Sequence, residues 1–87
     1  MRPRQIVWEH PAAKEFDHLP WYVQESVHTA LARFAAYGLG DVRALEGMHG
    51  PEYRLRVGEY RVRFALPSGS NILLVLHVRA RGSAYKM

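Results

Sequence analysis

Arginine recurs at every second position in three stretches of this chain: Arg54-x-Arg56, Arg61-x-Arg63 and Arg79-x-Arg81. Side chains two apart on a β-strand share a face. If the three stretches pair as strands, up to six guanidiniums crowd one sheet surface. A guanidinium is planar, permanently charged and bidentate toward phosphate, so such a surface is a platform for a polyanion, RNA above all. Fixed cations also suit one reaction. When an RNA 2′-hydroxyl attacks its own phosphodiester, negative charge builds on the phosphorus oxygens, and preorganised cations stabilise it. His77 has the parity of Arg79 and is a candidate acid or base on the same face. Tyr85 in the tail is suited to stacking on a base or donating a hydrogen bond.

Other chemistries find little support. There is no cysteine, which removes disulfides, thiolate metal sites and cysteine nucleophiles. His10, His18, His28, His49 and His77 show no metal-ligand spacing and no H-E-x-x-H motif, so no metal site is expected. Ser26, Ser68, Ser70 and Ser83 sit in no G-x-S-x-G elbow. No phosphate-cradling glycine loop occurs, and Gly38-Leu39-Gly40 reads as a helix stop and turn.

The elements that must hold the arginines can be read from periodicity. Gln5–Trp8 is a short strand with Ile6 and Trp8 on one face. His10-Pro11 opens a helix, since proline is tolerated in the first turn. Ala12, Phe16 and Leu19 form its apolar stripe, and Leu19-Pro20 ends it. A second helix carries Val23, Val27, Ala30, Leu31 and Phe34 at helical spacing and stops at Gly38. Asp41–Leu45 is expected to be extended. Tyr53–Val57 and Tyr60–Leu66 form a hairpin across Gly58-Glu59, and Ile72–Arg79 completes a meander. Opposite the arginines, Leu55, Val57, Val62, Phe64, Ile72, Leu74, Leu76 and Val78 are the expected core face. The fold class is therefore α+β, in the order β-α-α-β-β-β. An N-terminal helical hairpin packs on one face of a mostly antiparallel four-stranded sheet.

Composition agrees with one domain over residues 1–87. A hydrophobic fraction of 48% argues against general disorder. No apolar run approaches the roughly 18 residues that span a bilayer. No apolar stretch follows Met1-Arg2-Pro3-Arg4, so neither a signal peptide nor a membrane partner is expected, and the cytoplasm is the expected location. Net charge is +4, unevenly spread. Residues 1–42 hold four basic and five acidic side chains, whereas residues 43–87 hold eight basic and three acidic. Basic excess confined to the strand-rich half points to an acidic partner.

The run Tyr53-Arg54-Leu55-Arg56-Val57-Gly58-Glu59-Tyr60-Arg61-Val62-Arg63-Phe64 resembles the central hairpin of the RelE/ParE toxin superfamily. Asp41-Val42-Arg43-Ala44-Leu45-Glu46-Gly47 is similar to that family's approach to the hairpin. Trp8, Ala13-Lys14 and Leu19-Pro20 are similar to its N-terminal half. The resemblance, RelE-like more than ParE-like, implies the toxin of a type II toxin–antitoxin pair. Its activity would be metal-independent cleavage of mRNA in the ribosomal A site, with no cofactor. Its partners would be the ribosome, mRNA and a neutralising antitoxin with an acidic amphipathic segment, bound as a hetero-oligomer. The alternative is a ParE-like inhibitor of DNA gyrase without nuclease activity. Carried over residue by residue, Arg61 contacts the scissile phosphate and Tyr85 orients the substrate. The arginine near the end of the last strand supports the transition state. Ungapped alignment back from Tyr85 favours Arg81 for that role, and a longer spacing gives Arg79. Arg54, Arg56, Arg63 and Arg79 bind RNA. Arg54 and Arg56 stand where RelE-like toxins often carry lysines. Arginine stays protonated, so the general base is open among Glu46, Glu52 and His77.

Overall fold

The computed structural model describes residues 2–45 and 51–84. The elements in chain order are β1 (Gln5–Trp8), α1 (His10–Asp17), α2 (Trp21–Tyr37), β2 (Val42–Leu45), β3 (Glu52–Val57), β4 (Tyr60–Ala65), β5 (Ile72–Ala80) and α3 (Arg81–Ala84). The α+β class and the element order agree with the expectation. The sheet has five strands instead of four, because Val42–Leu45 is itself a strand. Strand order is β1-β5-β4-β3-β2. All neighbours are antiparallel except β1 and β5, which run parallel in the register Gln5↔Ile72 to Trp8↔Val75.

Local signals account for the boundaries. Pro11 stands in the first turn of α1. Gly38 ends α2 in the left-handed conformation, φ 71°, with its N–H donated to Phe34 O at 2.8 Å. A side chain there would clash with the backbone, so glycine is the favoured stop. The β3–β4 hairpin closes from Val57↔Tyr60 over Gly58-Glu59. Gly58 has φ 58° and Glu59 does not have positive φ, the sign pattern of a type II′ turn.

One core lies between the helices and the sheet. Val23, Val27, Leu31 and Ala35 recur every four residues along α2 and are buried. Ala12 adds a buried contact from α1, with Phe16 and Leu19 packed beside it. The sheet contributes Leu55, Val62, Phe64, Leu73, Val75 and Val78. Phe64 anchors this layer, stacked on Tyr53 at 5.4 Å and tilted against Phe34 at 5.2 Å between ring centres.

The core face of β5 differs from simple alternation. Leu73 and Val75 are buried, whereas Ile72, Leu74 and Leu76 are only half-buried and lie outside the core cluster. Arg63 pairs with His77, but Phe64 pairs with Val75. Two steps on β5 therefore match one on β4, and Leu76 is the extra residue of a β-bulge. The bulge reverses the alternation, so that Leu73 and Val75 face inward before it and Val78 after it. It also brings His77 and Arg79 into phase with the arginines of β3 and β4.

Candidate nucleic-acid interface

Alternation around Leu55, Val62 and Val78 turns the arginines of β3, β4 and β5 out of the core, with Arg79 at the edge of β5 still within reach of Glu15 on α1. They stand in two cross-strand rows. One row runs Arg56, Arg61, Arg79 through β3, β4 and β5. The other runs Arg43, Arg54, Arg63, His77 through β2, β3, β4 and β5. Directly opposed like charges destabilise a sheet, so this clustering works against the fold and needs either counter-ions or a ligand.

Two carboxylates supply part of the counter-charge. Glu52, on the same face of β3, accepts a charge-assisted hydrogen bond from Arg63 Nη2. Arg63 Nε is buried and has no acceptor among the described residues. The second carboxylate comes from α1. Glu15 Oε2 accepts from Arg79 Nε at 2.7 Å, while Oε1 accepts the Val78 N–H at 3.0 Å and lies 3.3 Å from His77 Nδ1. Burial alone raises the pKa of Glu15. The hydrogen bonds from Arg79, Val78 and His77, with the Arg79 charge, outweigh it and hold the carboxyl below its ordinary value.

The sequence-derived site residues divide accordingly. Arg54, Arg56, Arg61, Arg63, Arg79 and His77 come together on one face, and Glu52 joins them bound to Arg63. Arg81 stands after the end of β5 as the exposed first residue of α3, with its N–H on Glu59 O at 2.8 Å. Glu46 and Tyr85 lie outside the described residues. Two participants were not singled out in the sequence. Arg43 lies directly opposite Arg54, a register that only the pairing of the short β2 reveals. Glu15 looks like any helix acid, and its partners are 62 to 64 positions away. Among the described residues, no three of His, Asp and Glu are grouped so as to hold a metal ion.

No protein-family model and no curated protein matches the chain. Solved structures do. The RelE–RelB complex of Pyrococcus horikoshii matches at TM-score 0.77 and 21% identity, over 93% of this chain and 98% of the other. The toxin–antitoxin complex RelBE2 of Mycobacterium tuberculosis matches at TM-score 0.77 and 18% identity, over 92% and 100%. This is the RelE fold. A mutant of the E. coli toxin RelE in the free state matches at TM-score 0.66 and 17% identity, over 98% of this chain and 90% of that one. The shared RelE architecture thus spans nearly the whole chain.

Proposed function

We propose that this chain is the toxin of a type II toxin–antitoxin pair and that it cuts mRNA on the ribosome, in the cytoplasm. The observation that carries this reading is the direct opposition of Arg61 and Arg79 on β4 and β5, extended by Arg56 on β3. The two arginines hold the scissile phosphate between them. Arg79 takes this role ahead of Arg81, because Arg79 shares the strand row of Arg61. As O2′ attacks phosphorus and O5′ leaves, charge grows on oxygens already faced by guanidiniums, and the barrier falls. Arg43, Arg54, Arg56 and Arg63 carry the flanking backbone, and Tyr85 stacks on a base. Isolated RNA is flexible, so presentation by the ribosome supplies the in-line geometry.

The RelE fold supports the toxin reading, and the RelB-bound and antitoxin-bound relatives support an antitoxin partner. An acidic, amphipathic antitoxin segment matches the cationic rows in charge, which favours fast and selective association in a hetero-oligomer.

Primer-extension mapping of cellular mRNA just after induction of this chain alone tests the reading. Cuts at consistent codon positions, confined to translated regions and absent with Arg61→Ala, are the expected result. Growth arrest with intact mRNA overturns the nuclease reading in favour of gyrase inhibition.

A further inference from the structure

Pairing between β1 and β5 ends at Trp8↔Val75, extended by the Glu9 N–H on Val75 O at 2.9 Å. Beyond that point no strand among the described residues pairs with β5 on this side. Glu15 fills the edge, taking the Val78 N–H that a strand would otherwise take. The same carboxylate reaches the side chains on either side of Val78, His77 and Arg79. An ionised carboxylate can only accept, so the imidazole Nδ1 is the donor in the His77 contact. In the neutral ring the lone pair then belongs to Nε2. An imidazole tied through Nδ1 to a carboxylate, with Nε2 as the base, is the arrangement of a working proton-transfer pair.

The cationic face needs such a group, because its arginines cannot take a proton. Glu52 is committed to Arg63. His77 is the candidate that the described residues equip with an orienting partner. It stands in the row beside Arg61 and Arg79, opposite Arg63.

We propose that His77 is the catalytic base of RNA cleavage and that Glu15 is its positioning residue, an inference that rests on the nuclease reading. His77 Nε2 takes the proton from the 2′-hydroxyl as the O2′–P bond forms. The P–O5′ bond breaks with its electron pair leaving on O5′, stabilised by arginine and protonated by water. The products are a 2′,3′-cyclic phosphate and a 5′-hydroxyl, and the imidazolium returns its proton to solvent. The charged neighbours of His77 are Glu15 on α1, Arg63 on β4 with Glu52 of β3 bound to it, and Arg79 on its own strand. Lys14 and His18 line the groove that Glu15 shares with Arg79.

The test is single-turnover cleavage of ribosome-bound mRNA by purified protein from about pH 5 to 8. Wild-type cleavage should rise with pH along an acid limb. His77→Gln should lower the rate by about 10²- to 10⁴-fold and abolish that limb. Glu15→Gln should lower the single-turnover rate constant less than His77→Gln does and leave half-saturation by ribosomes unchanged, because it disorients the base without touching RNA. Thermal unfolding of both variants separates these effects from loss of fold. An intact limb in His77→Gln, or a limb lost in Glu46→Gln instead, overturns the assignment alone. Wild-type protein that leaves ribosome-bound mRNA uncut overturns the nuclease reading and this inference with it.

Discussion

Glu15 Oε2 accepts a hydrogen bond from Arg79 Nε at 2.7 Å, tying the first helix to the last strand across 64 positions of sequence. The carboxylate also accepts from an edge amide and from His77, so its removal takes the acceptor from three donors. Glu15→Ala should destabilise the fold at neutral pH by about 1–3 kcal/mol, read from urea midpoints. The folded carboxyl titrates below its ordinary value of 4.5. Its stabilisation is therefore complete above that range and is lost as pH falls through the folded pKa. The gap between wild type and Glu15→Ala should narrow in acid. A gap independent of pH would show that the carboxylate charge is not what matters.

Arg61→Ala and Arg79→Ala should each lower mRNA cleavage by about 10²- to 10³-fold, because each removes one fixed cation from the transition state, and thermal unfolding separates that loss from the lost tie of Arg79 to Glu15. Arg81→Ala should cost less, since Arg81 lies beyond the strand row. Growth inhibition and cleavage assays on the three single variants decide the order. Equal losses for Arg81→Ala and Arg79→Ala would place the second cation at the start of α3.

The core face of β5 can be checked on two adjacent leucines. Leu73 is fully buried, and Leu74 is half-buried outside the core cluster. Leu73→Ala should cost about 2–5 kcal/mol and Leu74→Ala less than half of that, measured by chemical denaturation. The reverse order would remove the bulge at Leu76 from the description of β5.

Arg43→Ala should weaken binding to a single-stranded RNA oligonucleotide and reduce the steepness of its salt dependence by about 0.7, the share of one phosphate contact. It should leave unfolding midpoints almost unchanged, because Arg43 is exposed on an edge strand. An unaltered salt slope would confine the RNA path to β3, β4 and β5.

Much of this architecture was legible in the residues. The buried stripe of α2 repeats at helical spacing, and the β3–β4 hairpin alternates cleanly around a glycine-led turn. In both, each polar or apolar position says which way it points. The run Ile72-Leu73-Leu74-Val75-Leu76 says nothing of the kind, since every position is apolar. Either phase of β5 fits it, and only its ladder with β4 shows the bulge. The arginine rows were visible because spacing of two survives within each strand. Arg43 and Glu15 were hidden because their roles depend on neighbours far away in the chain.

The opposed arginines of β3, β4 and β5 outnumber the two carboxylates, Glu15 and Glu52, that pair with them on the sheet, so their mutual repulsion is only partly offset. Any polyanion that settles on them lowers the free energy of the folded state and not that of the open chain. This surface is therefore frustrated in isolation and relaxed in company. By the same linkage, an antitoxin or RNA laid across it would reinforce the fold as it binds, and the protein would be at its least stable when it is alone.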